Sequence, residues 1–295
     1  MGRVITIANR KGGVGKTTLA IALAETFVFE HKQSTVILDL DPQSSASEIL
    51  LSADDYADRM LRDDVLPGFF RAALTSAPRS PDRFIVHARH SLTGRGKVDL
   101  AIAPNSPEMW DIEFAALRTG QEEQYRAAVR RLIDTLQQEF GLVIVDSPPG
   151  KTMAAEEAIL ASGVVICPIV PERLSVWGMD RMKAYFEELE QTHEVPPWRF
   201  VMSRMVGNRV EADAQIETIR NSYQDHFITE RHGVFGFGQT ELLGLKQAES
   251  VVHRIAKFRE NPDNIRTLEQ FYGAENTQQL RKIARQLQEV TARHA

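Results

Sequence analysis

The sequence predicts an α/β fold: a doubly wound, mostly parallel sheet with helices on both faces and a helical C-terminal appendage. Two observations support this prediction. Short runs that are apolar throughout alternate with longer segments of helical periodicity, which is typical of parallel strands covered by helices on both faces. A glycine-rich loop with two lysines follows the first apolar run, and such loops bind phosphate where a strand passes into a helix.

The period of the apolar residues predicts the individual elements. We predict six strands, at residues 4–8, 35–39, 98–103, 142–145, 163–169 and 199–202. We predict helices at residues 17–29, 121–140 and 176–189, and a helical segment over residues 251–295. Sheets of this kind bind ligands at the carboxyl ends of their strands, so the residues that follow each strand are the candidate site.

Composition limits the class of protein. The chain has 295 residues, of which 43% are hydrophobic and 25% charged, as in ordinary globular proteins. No apolar run reaches the ~18–20 residues of a transmembrane helix. We expect no signal peptide, because charged residues interrupt the first apolar stretch. A single cysteine, Cys167, excludes an internal disulfide and a multi-cysteine metal centre. We therefore expect a cytoplasmic protein.

The chain is expected to form one domain with an appendage. Residues 1–250 form the α/β domain, and residues 251–295 form the helical appendage packed on the same domain. Residues 52–97 are acidic and then rich in Pro, Ser and Arg. This composition predicts an insertion with one or two short helices rather than a separate domain.

The loop after the first strand is the strongest functional signal. It consists of Lys11, Gly12, Gly13, Val14, Gly15, Lys16, Thr17 and Thr18. The backbone N–H groups of such a loop surround a phosphate, Lys16 reaches the β- and γ-phosphates, and the Thr17 hydroxyl ligates Mg²⁺. The usual pattern has glycine five residues before Gly15, where this chain has Arg10. The segment fits the deviant form with a second lysine, Lys11, and the predicted fold is of the P-loop NTPase type.

Two acidic segments follow later strands. Asp39 and Asp41 lie two residues apart after the second strand, so they point the same way. In a phosphate site they can hold Mg²⁺ through water and orient an attacking water. Asp146 follows the strand at 142–145 in the Walker B arrangement, which completes Mg²⁺ coordination. The Pro-Pro-Gly run at residues 148–150 suits a loop that senses the γ-phosphate.

These segments together resemble the ParA/MinD superfamily of deviant-Walker ATPases, and within it the ParA branch of partition and cargo-positioning ATPases. The resemblance rests on residues 11–18, 39–43, 146–149 and 168–178. It extends over roughly residues 1–250. The Asp-Leu-Asp-Pro-Gln form of residues 39–43 is typical of the ParA branch.

The resemblance implies a Mg²⁺-dependent ATPase that forms a homodimer with ATP between the subunits. Lys11 then reaches the phosphates of the partner subunit as an arginine finger does, while Lys16 binds phosphates within its own subunit. Asp41 positions the hydrolytic water, and Asn208, after a later strand, is the candidate adenine contact. The residues that would support the metal are Thr17, Asp39 and Asp146.

The resemblance also implies partners. The ATP-bound dimer is expected to bind nonspecific DNA on the nucleoid, and a ParB-like or cargo-adaptor protein is expected to stimulate hydrolysis. Residues 251–295 carry eight Lys/Arg and five Asp/Glu, whereas the whole chain has a net charge of −5. The candidate DNA contacts are Arg254, Lys257, Arg259, Arg281, Lys282 and Arg285.

Two segments depart from the family pattern, residues 44–47 and residues 232–238. They leave open whether the cargo is a plasmid, a chromosome or a protein assembly. Two other functions also stay open. One is a metabolic ATPase that phosphorylates a small substrate. The other is a MinD-like ATPase that binds membrane through an amphipathic last helix. The apolar face of that helix is narrow and lacks aromatic residues, which favours packing on the body of the protein.

Overall fold

The computed structural model describes residues 3–75, 77, 79–88, 100–170, 175–205, 232–234, 244–246 and 267–293. The strands in these residues are β1 (Arg3–Ile7), β2 (Thr35–Asp39), β3 (Val86–His87), β4 (Leu100–Ala103), β5 (Leu142–Asp146), β6 (Val164–Ile169), β7 (Trp198–Met205), β8 (His232–Val234) and β9 (Gly244–Lys246). They form one sheet in the order β3-β4-β2-β5-β1-β6-β7-β8, and β9 also pairs with β7. Of these pairs, β3–β4 is antiparallel and the others are parallel. The predicted mostly parallel sheet is confirmed.

Helices connect the strands, and their bounds lie close to the predicted ones. They are α1 (Lys16–His31), α2 (Ser45–Leu50), α3 (Ala53–Leu61), α4 (Leu66–Leu74), α5 (Met109–Thr119), α6 (Glu122–Glu139), α7 (Met153–Leu160), α8 (Ser175–Glu190), α9 (Leu268–Tyr272) and α10 (Ala274–Arg293), with a 3-10 helix at Pro81–Phe84. The sequence patterns do not predict α2, α5 and α7 or the short strands β3, β8 and β9.

The core lies on both faces of the sheet, because successive residues of a strand point to opposite sides. On one face, Ile5 and Ile144 pack with α1 and α10. On the other face, Val4 and Val143 pack with α4, α6 and α7. Helix α8 covers β6 and β7. The fold is therefore doubly wound, as the apolar strands predict.

The described part of residues 52–97 belongs to the body of the domain. Phe69 and Phe70 of α4 and Phe84 of the 3-10 helix are each at most 1% exposed. They pack in the same core as α6, and β3 extends the edge of the sheet. This segment supplies large apolar side chains that cover the sheet, and its description as an insertion stays a prediction.

The C-terminal helices pack on α1. Four apolar residues of α10 are fully buried in the core shared with α1. These residues are Leu280, Ile283, Ala284 and Leu287. The Tyr272 hydroxyl also donates a hydrogen bond to the buried Glu25 carboxylate of α1. The proposed division of the chain at residue 250 falls outside the described residues and stays a prediction.

Candidate nucleotide site

The glycine-rich loop joins β1 to α1 and closes in a tight turn. Gly13 and Gly15 have φ angles of +73° and +90°, which side chains other than glycine rarely adopt. The Asn9 side chain holds the start of the loop, because its amide donates to the Pro168 carbonyl at 2.7 Å and its oxygen accepts the Lys11 N–H at 2.9 Å. Helix α1 begins directly after Gly15, so its first N–H groups are available to an anion.

The two lysines of the loop lie in different environments. Lys16 is 6% exposed, and its ammonium group lies 3.4 Å from the Lys11 carbonyl oxygen. Burial lowers the pKa of Lys16, while the charges of Asp146 and Asp41 partly restore it. The Lys11 residue is exposed at the surface of the loop. Lys16 is therefore buried beside the acidic residues, whereas Lys11 lies at the surface.

Strand order brings the predicted acidic residues to the same edge as this loop. Strand β5 lies between β1 and β2, so Asp146 pairs with Ile7 on one side and with Asp39 on the other. The three strand ends therefore meet where the phosphate loop begins. Residues that are more than a hundred positions apart in the sequence form one site.

Asp146 is fully buried and poorly satisfied. Within the described part of the chain, neither of its carboxylate oxygens has a hydrogen-bond partner of good geometry. Burial raises the pKa of Asp146 well above its ordinary value, Asp39 raises it further, and the nearby Thr17 hydroxyl and Lys16 oppose the shift. A buried carboxylate without donors is costly. A bound cation would relieve that cost.

Asp39 has a different environment, although both residues are aspartates that end an apolar strand. One of its oxygens accepts the Ser47 hydroxyl at 2.6 Å and the Ser47 N–H at 3.0 Å, and the other accepts the Asp41 N–H at 3.2 Å. Burial raises the pKa of Asp39 to about 7, although these donors oppose the shift. Asp39 thus anchors the loop before α2, and its metal-binding role stays a prediction.

Asp41 lies on that loop, beside Lys16. One oxygen accepts the Gln43 N–H at 2.9 Å, and the carboxylate is 8% exposed. Burial raises the pKa of Asp41, while the Gln43 N–H and the Lys16 charge lower it. The loop turns at Ser44, which has a φ of +54°. Asp41 therefore faces the phosphate loop with one oxygen held by the backbone.

The remaining predicted residues lie in the phosphate loop or in the first turn of α1, except Asn208. Val14 is buried, Gly12 and Gly13 are exposed, and Thr17 and Thr18 are partly buried in the first turn of α1. Asn208 lies outside the described residues.

These residues fit Mg²⁺ in a nucleotide site. No group of three or more His, Cys, Asp or Glu side chains that could hold a metal exists in the described ranges. Mg²⁺ in such sites is bound by one or two protein ligands, with phosphates and water completing the octahedron. The orphaned Asp146 oxygens beside the Thr17 hydroxyl match that requirement.

Two side chains that the sequence analysis missed support the site. The Ser203 hydroxyl of β7 donates a hydrogen bond to the Val14 carbonyl of the phosphate loop. Glu113 of α5 is buried and accepts the Met153 N–H at 2.6 Å, which fixes the end of the loop after Asp146. Ser203 could have been found, because it is a polar residue that directly follows the predicted strand at 199–202. No simple pattern marks Glu113.

The buried carboxylate of Asp39 predicts how stability depends on pH. Its pKa is about 7 in the folded protein and close to 3.9 when unfolded, so between these values the folded state binds more protons. The free energy of unfolding that Asp39 contributes therefore falls as pH rises from about 4 to 7.

An Asp39→Asn variant lacks this titration and serves as the control. The melting temperature of the unliganded protein minus that of the variant is expected to fall by at least about 3 °C from pH 5 to pH 8. A constant or rising difference would contradict the assignment. The measurement is thermal unfolding followed by circular dichroism across that pH range.

Comparison with known proteins identifies the family. The chain belongs to the AAA_31 family of AAA domains, which matches residues 2–195. The chromosome partitioning protein ParA of Myxococcus xanthus is 28% identical over 192 residues, 65% of this chain and 60% of that protein. The sporulation initiation inhibitor protein Soj of Bacillus subtilis is 23% identical over 182 residues, 62% of this chain and 64% of that protein. The chain thus spans less than two thirds of the length of these two relatives.

Solved structures share the fold. A plasmid partition protein of Borrelia burgdorferi bound to AMPPNP aligns over all of both chains with a TM-score of 0.69 and 18% identity. Apo McdA of Cyanothece aligns over 97% of this chain and 100% of that one, with a TM-score of 0.69 and 14% identity. The family model and the ParA and Soj relatives confirm the predicted membership of the ParA/MinD superfamily of deviant-Walker ATPases.

Proposed function

We propose that this protein is a ParA-like ATPase that binds Mg²⁺ and ATP, dimerises in the ATP state and hydrolyses ATP slowly. The dimer drives partition or positioning of DNA or of a protein cargo over nonspecific DNA. A ParB-like or cargo-adaptor protein stimulates hydrolysis and releases the dimer. Such a cycle takes place in the cytoplasm, on the nucleoid.

One observation carries this proposal. The phosphate loop after β1, the Asp39–Asp41 loop after β2 and Asp146 at the end of β5 meet at one edge of three adjacent strands. Phosphoryl transfer to water requires a lysine that binds the phosphates, a hydroxyl and a carboxylate that bind the metal, and a second carboxylate that orients the water. This set supports the ATPase reaction that we propose.

The residues take distinct parts in the reaction. Lys16 and the loop N–H groups bind the phosphates. Thr17 and Asp146 would hold Mg²⁺, which would neutralise phosphate charge. Asp41 orients the attacking water. Its pKa is raised, and a higher pKa makes a carboxylate a better acceptor for the proton of that water. Lys11, exposed on the loop, stabilises the charge on the phosphates of the partner subunit.

The surface supports self-association. Trp110, Phe114 and Leu117 of α5 are between 45% and 60% exposed and lie at i, i+4 and i+7, on one face of the helix. Trp177, near the start of α8, is 66% exposed. Exposed apolar groups of this size are typical of protein interfaces.

The membrane alternative gains no support from the described residues. The four described apolar residues of α10 between Leu280 and Leu287 are buried against α1, so they are not available to lipid. No helix in the described ranges is long and apolar enough to span a bilayer.

The metabolic alternative shares the fold. Cobyrinic acid a,c-diamide synthase of Mycobacterium smegmatis, with ADP and magnesium, aligns over 90% of this chain and 99% of that one, with a TM-score of 0.63 and 17% identity. An ATPase that uses DNA as its track is expected to turn over ATP faster when DNA is added, whereas a small-molecule kinase is not. ATP turnover with and without duplex DNA separates the two functions.

Binding of DNA by the ATP-bound dimer is a direct prediction. An Asp41→Ala variant should hold ATP without hydrolysing it. If each dimer neutralises about four to six phosphates, log K falls against log salt with a slope of about −4 to −5. No binding at low salt, or binding that does not depend on salt, would remove DNA as the track.

The structure supplies a matched pair of variants for this titration. Arg285 is exposed on α10, whereas the Arg281 guanidinium lies 2.7 Å from Glu30 and 2.9 Å from Glu269. Arg285→Ala is expected to reduce the slope by about 2 for the dimer, and Arg281→Ala to leave it unchanged. The predicted contact of Arg281 with DNA is proposed to be weaker than that of Arg285, because the Arg281 charge is already paired with two carboxylates. Arg254, Lys257 and Arg259 lie outside the described residues.

A further inference from the structure

We infer that Ser203, near the carboxyl end of β7, positions the phosphate loop for nucleotide binding. This inference rests on the proposed nucleotide site and adds to it a residue outside the motifs of the sequence. The observation is one buried hydrogen bond, in which the Ser203 hydroxyl donates to the Val14 carbonyl oxygen. Ser203 is 5% exposed, so water does not compete freely for that bond.

Because the peptide group is planar, the hydrogen bond to the Val14 carbonyl also fixes the direction of the Gly15 N–H. In a trans peptide the C=O and the following N–H point in opposite directions. When Ser203 holds the Val14 carbonyl toward β7, the Gly15 N–H points away from β7. Gly15 immediately precedes α1, where the N–H groups that bind phosphate are located.

Close packing between β7 and the phosphate loop surrounds this hydrogen bond. A Cβ atom on Gly15 would lie 3.0 Å from the Ser203 oxygen, so β7 and the loop are already in close contact. Removing the hydroxyl would leave the Val14 carbonyl without this donor in a confined space. The loop would then regain peptide orientations in which the Gly15 N–H no longer faces the phosphate.

The loop is held at both ends by neighbouring strands. The Asn9 amide binds the Pro168 carbonyl of β6 at 2.7 Å at the start of the loop. Ser203 of β7 holds Val14 at its end. Strands β6 and β7 are paired in parallel, with Ile169 opposite Met202, so both anchors come from the same side of β1. This arrangement preorganises the backbone and lowers the ordering cost of binding.

The test compares Ser203→Thr with Ser203→Val, which have nearly the same shape and differ in the hydroxyl. Affinity is measured by titration of the monomer with fluorescent ADP, because ADP does not require Lys11 or a partner subunit. We expect Ser203→Val to bind ADP about three- to tenfold more weakly than Ser203→Thr. In saturating ATP, the turnover of the two variants should differ much less than their KM values.

A Ser162→Ala variant controls for a merely structural effect. The Ser162 hydroxyl is also buried in the domain and donates to the Ala158 carbonyl at 2.7 Å. Its loss is expected to lower the melting temperature without changing ADP affinity. If the β-branched variants fail to fold, Ser203→Ala is compared with Ser162→Ala in the same titration.

The possible outcomes are distinct. Equal ADP affinity in Ser203→Val and Ser203→Thr, or in Ser203→Ala and the native protein, would overturn the inference while leaving the nucleotide site intact. If the native protein itself bound no ADP, the proposed function would fail together with it. Weaker binding that Ser203→Thr restores would support the positioning role.

Discussion

Replacing Lys16 with alanine is expected to abolish ATP binding, with affinity lowered at least about 100-fold. The side chain is 6% exposed and lies in the field of Asp146 and Asp41. Without its charge, those two carboxylates would face the phosphates directly and repel them. The loss therefore combines missing attraction with uncompensated repulsion.

Isothermal titration with ATP and Mg²⁺ measures this effect. Lys183→Ala is the control, because Lys183 makes an ion pair with Glu187 at 3.7 Å on the surface of α8, and such pairs contribute little to stability. Circular dichroism establishes that both variants are folded. A folded Lys16→Ala protein that binds ATP with native affinity would show that the loop is not a phosphate site.

Replacing Lys11 with alanine is expected to lower ATP turnover about 1,000-fold, the lower end of the effect of an arginine finger. Lys11 is exposed, and its own subunit already supplies the buried Lys16. A second lysine serving the same phosphates in the same subunit would be redundant, whereas one that reaches a partner is not. Binding of ATP to the monomer should change little.

The matched control for this variant is Arg10→Ala, since Arg10 is the exposed cationic neighbour of Lys11 in the same loop. Arg10→Ala should keep most of the ATP turnover, because the proposed role requires a positive charge at position 11 and not elsewhere in the loop. Phosphate release is measured at several protein concentrations, because a reaction that needs two subunits becomes faster per subunit as the dimer forms. Native turnover by Lys11→Ala would exclude a role in the partner site.

The strands and the phosphate loop could be predicted from the sequence because each is encoded locally. The apolar runs at residues 36–38 and 142–145 become the centres of β2 and β5, and the glycines at 13 and 15 allow positive φ angles where the loop turns. The meeting of Asp39 and Asp146 with the loop also follows, since a doubly wound sheet gathers strand ends at one edge.

The different environments of the two aspartates could not be predicted. Asp39 and Asp146 have the same local pattern, an aspartate at the end of an apolar strand. Ser47 is close enough in the chain to bind Asp39, whereas in the described residues neither Asp146 oxygen has a hydrogen-bond partner of good geometry. That difference depends on the path of the loop before α2.

Contacts between distant segments were beyond the sequence patterns for the same reason. Ser203 and Val14 are 189 residues apart, and only the strand order brings them together. Helix α5 even reverses the usual pattern. Its Glu113 is buried and accepts the Met153 N–H, while Trp110 and Phe114 are exposed. Apolar periodicity alone predicts that Trp110 and Phe114 are buried and that Glu113 faces the solvent.

The molar mass of the ATP-bound protein tests the central claim most directly. Size-exclusion chromatography with light scattering is applied to Asp41→Ala in ATP, in ADP and without nucleotide, and to the Lys11→Ala, Asp41→Ala double variant in ATP. We predict a dimer of about twice the 33.2 kDa chain mass for Asp41→Ala in ATP, and monomers in the other three samples. A monomer in every sample, or a double variant that still dimerises in ATP, would contradict the account.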